Sequence, residues 1–198
     1  MIKFINISQE TPYKIFKDKY DEAFNANQSI IEAICISSYS LKGKEVNARF
    51  VNLKLIQDEE FIFFSNYRSP KSQEFLEHDQ ITAVFYWNAT NVQIRMKAKI
   101  KQTSREFNLE YFANRDKKKN ALAISSNQSK SIQSYEEVQK NYKKSLETSN
   151  LKDCPEYWGG YSFVPYYFEF WQGHESRLNK REVYENINNN WNYSILQP

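Results

Sequence analysis

The sequence predicts a mainly β chain with helical insertions, an α+β arrangement in which about eight antiparallel strands close into a small barrel. Three observations carry this expectation. Runs rich in β-branched and aromatic residues recur along most of the chain, separated by short polar turns. Two Ser/Thr-Pro pairs announce helices before and between those runs. The longest stretch of helical texture, about residues 105–147, falls after the fifth strand and before the last three.

The elements follow in order. Thr11-Pro12 reads as a helix N-cap followed by proline at the first helical position, where a missing N–H has no partner to lose. Ile15, Phe16, Tyr20 and Phe24 then recur at helical spacing to about Asn27. From Ser29 the texture is β: IIEAICISSYS, a turn at LKGKE around Gly43, then VNARFVNLKLI and EFIFFSN, predicted as three antiparallel strands. Ser69-Pro70 repeats the cap-plus-proline signal and opens the short helix SPKSQEFLEHD. QITAVFYWN and NVQIRMKAKIKQ form a further hairpin. The helical stretch that follows is interrupted by the polar segments NRDKKKN and SSNQSKSIQS. After a loop through Pro155, GGYSFVPYYFEFWQG, SRLNKREVYEN and NWNYSILQ supply the last three strands.

A chain of 198 residues suits one domain, 1–198, with a sizeable core, and a net charge of +3 is too mild to demand a nucleic-acid partner. The interleaved aromatics and lysines of YFANRDKKKN fall at core periodicity, so no nucleic-acid partner is expected there either. Cys35 and Cys154 are the only thiols. Cys35 lies in an apolar run where a free cysteine acts as a small buried hydrophobe, which points to a reducing, cytoplasmic compartment. No run approaches the roughly 18 apolar residues of a membrane span, and no membrane partner is expected. Glycine is scarce, yet Gly159, Gly160 and Gly173 cluster, which predicts backbone positions where a side chain would not fit, at tight turns or beside a ligand.

His78 and His174 lack metal-ligand spacing, and the serines lack a triad pattern, so neither a metal nor a hydrolytic nucleophile is expected. The absence of an acid, base or nucleophile favours chemistry done by a cofactor that the protein positions. Basic and hydroxyl residues group suggestively: Arg49 and Lys54 on one strand, Ser65 at a strand end, Lys71 at a helix N-terminus, Gln128-Ser129 in a loop, then Arg177 and Arg181. A helix N-terminus with a lysine beside it suits a phosphate, because orphan N–H groups and a positive dipole end point at it. Any one of these cations alone is equally a solvated surface charge. EFWQGHESRLNKREVY poses the same choice between a polar strand, turn and strand and an anion site.

Taken together and in order, the segments RFVNLK, FFSNYRSPK, FYW, NVQIR, YFANR, the Gln128-Ser129 pair, WGGY and EFWQG followed by RLNKR resemble the pyridoxamine 5'-phosphate oxidase family from about residue 11 onward. The resemblance implies an FMN-binding split β-barrel working as a homodimer with the flavin in the subunit interface, residues 1–28 forming an N-terminal arm and helix and residues 158–198 a dimerisation-type region. By the same resemblance Arg49, Phe50, Val51, Lys54, Phe64, Ser65, Pro70, Lys71, Gln93, Gln128, Ser129, Trp171 and Arg181 fall where the family contacts FMN. Lys54, Tyr111, Arg115, Lys119, Arg177 and Asn179 fall at the substrate, with Arg177 and Asn179 nearest the reacting atoms and no residue assigned as catalytic. RLNKR is then the strand carrying one arginine to the substrate and another to the flavin. The implied activity is oxidation of pyridoxamine or pyridoxine 5'-phosphate to pyridoxal 5'-phosphate in vitamin B6 metabolism, with molecular oxygen as electron acceptor.

The chain departs from the family pattern at several places. Pro70 stands where a basic residue is usual, Lys119 where a serine meets the substrate phosphate, Asp116 where a proline follows the arginine, and Asn179 where the family has histidine. The N-terminal arm is short and lacks the Arg-rich segment of some relatives. Two alternatives therefore stay open: a relative that oxidises another ring, such as a phenazine precursor, and a flavin-binding protein without turnover.

Overall fold

A computed structural model describes residues 1–198. It contains β1 (Lys3–Ile5), α1 (Thr11–Asn25), β2 (Ala33–Ser40), β3 (Glu45–Gln57), β4 (Glu60–Asn66), α2 (Pro70–Glu77), β5 (Gln80–Trp87) and β6 (Val92–Gln102). After these come α3 (Arg105–Asn114), α4 (Lys117–Ser125), α5 (Tyr135–Thr148), β7 (Trp158–Gln172), β8 (Lys180–Ile187) and β9 (Asn190–Leu196). The mixed α+β class and all eight expected strands are present. The short β1, in a segment without a strand signal, joins parallel to β3 through Lys3↔Leu55.

Backbone pairing closes β3, β2, β5, β6, β7 and β4 into a ring, since β4 pairs with both β3 and β7. β8 and β9 extend from the ring through β7. Inward-facing residues at alternate positions, including Ile34, Ile36, Phe61, Phe63, Phe85, Ile94, Met96, Phe163 and Phe168, are fully buried. The helix α1 lays Tyr13, Phe16 and Tyr20 on these rings, with Phe16 edge-on to Phe61 at 5.1 Å and Tyr13 edge-on to Phe168 at 5.2 Å. Trp87 lies under the same helix and donates its indole N–H to the Ile31 carbonyl, 3.1 Å away.

Several local expectations are corrected. Glu10, not Thr11, is the N-cap of α1; Thr11 and Pro12 are already helical, and no side chain caps that end. Proline supplies the fixed φ that starts the helix, so the signal was right and its register one residue off. Phe24 remains 48% exposed, because the helix ends one residue later and its last turn overhangs the barrel. β2 begins at Ala33 rather than Ser29, residues 28–32 being turns in which Ile30 adopts φ 49°. Cys35 faces outward and is only half-buried, while Cys154 is buried.

The glycine cluster does occupy positions where a side chain would not fit, Gly173 included, where a Cβ would lie 2.1 Å from Asn91 Nδ2, but the expectation of turns is corrected for two of the three. Gly159 and Gly160 lie inside β7, not at a turn, and no glycine has a positive φ. What they permit is close approach. A Cβ on Gly159 would fall on the Tyr67 hydroxyl and lie 2.5 Å from Asn108 Nδ2, and one on Gly160 would lie 2.6 Å from Thr103 Oγ1. Tyr67 Oη donates to the Gly160 carbonyl at 3.1 Å and accepts from Asn108 Nδ2 at 3.0 Å. The Gly160 N–H donates to Asn108 Oδ1 at 2.8 Å. The glycines thus let a polar knot form between β7, α3 and the segment after β4. Substituting Gly159→Ala should destabilise the fold by about 1–3 kcal/mol through overpacking. An unchanged midpoint in chemical denaturation would show that Tyr67 swings away freely.

Candidate functional site

The ring opens at a fork between β3 and β4. Their pairing runs from Gln57↔Glu60 to Leu53↔Phe63 and stops there, with Lys54 the extra residue of a bulge between Leu53 and Leu55. Beyond that point β3 continues only along β2, and β4 continues only along β7, where Phe64 and Ser65 face Gly160 and Gly159. The diverging arms leave a cleft of about 410 Å³, and its lining is Arg49, Phe50, Val51, Asn52 and Lys54 from β3, Phe64 and Ser65 from β4, Lys71, Tyr111, Arg115, Gln128 and Ser129. Every one of these except Asn52 is a residue the sequence singled out.

Three helical segments bring the remaining side chains to the fork. Ser69 and Pro70 start α2, placing Lys71 in its first turn. Lys71 Nζ donates to Ser69 Oγ at 3.1 Å and lies 3.4 Å from Gln128 Oε1. Gln128 reaches in from the loop after α4, where Ser129 turns the backbone through a left-handed conformation at φ 69°. Tyr111 stacks on Phe64 with ring centroids 3.7 Å apart, and Arg115, at the end of α3, lies 5.0 Å above the Trp158 ring.

The electrostatics of the cleft favour an anion. Burial, then the charge of Arg49, pushes the Lys71 ammonium down to about 8. Burial likewise lowers Lys54, helped by the charges of Lys119 and Arg115, although Glu32 at 3.9 Å pulls the other way. Burial lowers Arg115 as well. Two carboxylates at the margins offset part of this positive charge. Glu74 of α2, 6% exposed, takes Arg49 Nη2 at 2.9 Å, and Glu32 faces Lys54. Lys71 and Arg115 form no salt bridge. An oxyanion entering the cleft would restore charge–charge compensation to both, and in the first turn of α2 the Lys71 N–H has no backbone partner, whereas those of Ser69 and Ser72 are bonded to the Asn66 and Ser69 carbonyls.

The other residues picked out by sequence do not line this cleft. Pro70 faces a neighbouring depression with Arg49 and Glu74, and Lys119 lines a smaller adjoining hollow that shares Phe64, Ser65, Arg115 and Gln128 with the main cleft. Gln93, Trp171 and Arg181 form a separate row, in register across β6, β7 and β8. There Arg181 Nε and Nη2 hold Glu169 at 2.9 and 2.8 Å, and Arg95 binds the same carboxylate, as does Tyr167 Oη at 3.0 Å. Burial raises Glu169, but the hydrogen bonds from Arg95, Arg181 and Tyr167 outweigh it and leave the carboxyl lowered. Arg177 and Asn179 precede β8 instead of lying on it. Arg177 is exposed with φ 63°, and Asn179 Oδ1 accepts from the His174 N–H at 3.1 Å. The expectation of a strand carrying both arginines is therefore corrected: only Arg181 is on the strand, because the turn Arg177 N–H to His174 carbonyl, 3.0 Å, consumes the backbone that pairing would need.

Glu74, Glu32, Asn120 and Trp158 also shape the site, and none was singled out for a role. Trp158 stood in WGGY and Asn120 at the end of NRDKKKN, but nothing in either segment says that an indole or an amide will lie against an arginine.

A closed ring of strands, forked to expose a cation-lined cleft, defines a split-barrel protein. Solved structures agree on the fold. PhzG from Burkholderia lata 383, solved with tetrahydrophenazine-1-carboxylic acid, superposes with a TM-score of 0.89 at 24% identity, covering 94% of this chain and 92% of that one. A pyridoxamine 5'-phosphate oxidase-related, FMN binding protein from Nostoc punctiforme gives 0.78 at 11% identity, covering 92% and 97%. Residues 17–148 match the family model for pyridoxamine 5'-phosphate oxidase, and residues 158–198 match the pyridoxine 5'-phosphate oxidase C-terminal dimerisation region. Among curated relatives, the pyridoxine/pyridoxamine 5'-phosphate oxidase of Coxiella burnetii is 35% identical over 190 residues, 94% of this chain and 95% of that protein. Pyridoxine/pyridoxamine 5'-phosphate oxidase 1 of Hydrogenovibrio crunogenus is 33% identical over 195 residues, 96% and 89% of the two chains. The chain belongs to the pyridoxamine 5'-phosphate oxidase family.

The depressed Lys71 ammonium can be checked directly. Competitive acetylation across a pH series, read by peptide mass spectrometry, should find Lys71 half-protonated near pH 8, and inorganic phosphate should slow its modification. Titration with the exposed lysines, near the ordinary value of about 10.4, would show that the cleft does not desolvate it.

Proposed function

We propose that this protein is an FMN-dependent oxidase converting pyridoxamine or pyridoxine 5'-phosphate to pyridoxal 5'-phosphate, with molecular oxygen reduced to hydrogen peroxide. The observation that carries the proposal is the presence of two cationic groups in one cleft: Arg49 with Lys71, and Lys54 with Arg115 and Tyr111. One phosphate needs only one such group. Two fit a phosphorylated cofactor beside a phosphorylated substrate.

The residues present suit FMN. Lys71, desolvated and without a carboxylate, together with the first turn of α2, matches a phosphate monoester, and Arg49 adds a second cation whose charge Glu74 moderates. Ser65, Gln128 and Ser129 offer hydroxyl and amide groups to a polyol chain. Bound flavin would supply the two-electron acceptor that no side chain of this protein provides. What the chain contributes is position. Lys54 and Arg115 grip the substrate phosphate, Tyr111 on its Phe64 stack walls that pocket, and Gln93, Trp171 and Arg181 close the cofactor site from a second protomer.

The homodimer belongs to this reading for a structural reason. The row Gln93–Trp171–Arg181 does not line its own protomer's cleft, and Phe50, 74% exposed at the cleft's edge, together with Val46, 71% exposed, needs a cover. Residues 158–198, which match a dimerisation region, carry two members of that row. A cytoplasmic location accompanies the reading, and no helix is long and apolar enough to cross a membrane.

A second reading keeps the fold and the cofactor and changes the ring that is oxidised. Asn179 favours it, since an amide donates and accepts hydrogen bonds but carries no proton charge near neutral pH. Lys119, beside Arg115 in the adjoining hollow, adds a flexible cation where the resemblance implies a hydroxyl.

The test has separable arms. Gel filtration with light scattering should show a dimer, and Lys71→Ala should weaken FMN binding by about 1.5–3 kcal/mol, the scale of a hydrogen bond to a charged group. FMN affinity should be level between about pH 7 and pH 8, above the second phosphate pKa of about 6, and fall as the pH rises further, because free Lys71 loses its proton near 8 and a bound phosphate must restore it. Anaerobic pyridoxine 5'-phosphate should bleach the flavin slowly, and Asn179→His should speed the bleaching. A flavin that stays yellow with this substrate in both proteins but bleaches with another reduced ring would transfer the case to the second reading, one that bleaches with neither would leave a flavin binder without turnover, and a colourless monomer would end all three.

A further inference from the structure

We propose that Asn120 is a positioning residue for the substrate's phosphate, acting by fixing the Arg115 guanidinium without neutralising it; this rests on the reading of Arg115 as a phosphate ligand. Asn120 lies in α4 and is 1% exposed. Both of its amide donor bonds go to backbone: Nδ2 donates to the Phe112 carbonyl of α3 at 2.8 Å and to the Leu151 carbonyl after α5 at 2.8 Å. The amide is thereby locked, and its oxygen points one way. Oδ1 accepts from Arg115 Nη1 at 3.1 Å, the only side-chain hydrogen bond Arg115 makes.

The opposite constraint on Arg115 comes from Trp158, 4% exposed, whose ring lies 5.0 Å from the guanidinium carbon. Trp158 is itself held, parallel to Phe64 at 5.1 Å and edge-on to Phe112 at 4.9 Å. A guanidinium gripped by an amide oxygen and an indole face has lost its rotamer freedom before any ligand arrives, so less is lost when one binds. Its other N–H groups have no protein partner, and Arg115 lines both the main cleft and the adjoining hollow.

The chemistry of the acceptor matters. A carboxylate at position 120 would hold Arg115 more strongly, but the pair would be neutral and its negative oxygen would repel a phosphate dianion. The amide orients and leaves the charge for the ligand. Glu74 and Arg49 show the other arrangement in the same cleft, where the cation is fixed by an acid and its charge is shared. Each group thus shares one cation with an acid, Arg49 with Glu74 and Lys54 with Glu32, and in the Lys54–Arg115 group Asn120 leaves the charge of Arg115 for the ligand.

A simple structural staple between α3, α4 and the loop at Leu151 would also use Asn120, so the experiment must separate the two roles. Binding of pyridoxal 5'-phosphate to the FMN-loaded protein is measured by absorbance titration for the native chain, Asn120→Ala, Asn120→Asp, Arg115→Ala and the double variant Asn120→Ala/Arg115→Ala. FMN affinity and the unfolding midpoint are measured alongside. Asn120→Ala should weaken pyridoxal 5'-phosphate by about tenfold, with FMN affinity unchanged. Asn120→Asp loses the same two backbone bonds as Asn120→Ala but should weaken the ligand further, because only it neutralises Arg115. In the Arg115→Ala background the Asn120→Ala step should cost no further affinity. Equal losses in Asn120→Ala and Asn120→Asp, or full additivity in the double variant, would overturn the proposal in favour of a staple. If the Asn120 variants fold too poorly to bind FMN, Arg115→Lys in the native background decides: it keeps the charge and leaves the Asn120 amide anchored, and undiminished affinity there overturns the role of a fixed planar guanidinium. Failure of the native protein to bind pyridoxal 5'-phosphate at all would instead remove the functional reading, and this inference with it.

Discussion

β7 has to serve two partners along one edge, and the shape of the molecule follows from where it changes from one to the other. Its first part pairs with β4 as far as Phe163↔Phe61, and its last part pairs with β8 from Tyr167↔Glu185 onward. Between them lies Pro165, which has no N–H to offer a neighbour, and on the other edge the register with β6 slips between Lys97 and Ala98. Proline and bulge together bend the strand at the one place where an unpaired edge is tolerable. The first part then closes the ring through β4, and the second leaves it to carry β8 and β9.

That bend also separates the functional residues into two groups. The early part of β7 puts Trp158 under Arg115 and Gly159 and Gly160 beneath the arm of β4 that borders the cleft. The late part puts Trp171 between Gln93 and Arg181 on a different surface. On the proposed reading a single strand supplies the floor of one half-site and the wall of another, and a two-fold assembly is the economical way for both halves to meet one cofactor. The fork between β3 and β4 is the counterpart of the same event: β4 must leave β3 to follow β7, and the gap it leaves is the cleft.

The energetics of the cleft run against stability and toward binding. Desolvated cations with depressed pKa values are a cost to the empty fold, and a phosphate removes it. Elsewhere the protein treats buried charge differently. Glu169, 3% exposed, is enclosed by Arg95, Arg181 and Tyr167, with little hydrogen-bonding capacity left over. The contrast is between an ion-paired network on the outer face of β6, β7 and β8 and a fork where Lys71 and Arg115 have hydrogen bonds but no carboxylate.

The sequence by itself determined the class of fold and most of the residues at the fork. Period-two burial made the strands visible, as in VQIRMKAKIKQ, and proline placed α1 and α2 to within a residue, because both signals act over a few neighbours. Arg49, Lys54, Ser65, Lys71, Tyr111, Arg115 and the Gln128-Ser129 pair were legible as residue types and by the ordered resemblance, and the fold brings them together. Only the tertiary structure decided which of them work as free charges. That Glu74 shares Arg49, that Asn120 and Trp158 hold Arg115, and that Gly159 makes room for Tyr67 depends on contacts between residues 25, 5, 43 and 92 positions apart, and at most one of these spans lies within reach of a local pattern. Electrostatic free energy depends on distance and burial in space, and sequence spacing sets neither once the chain has been folded back through a ring of strands.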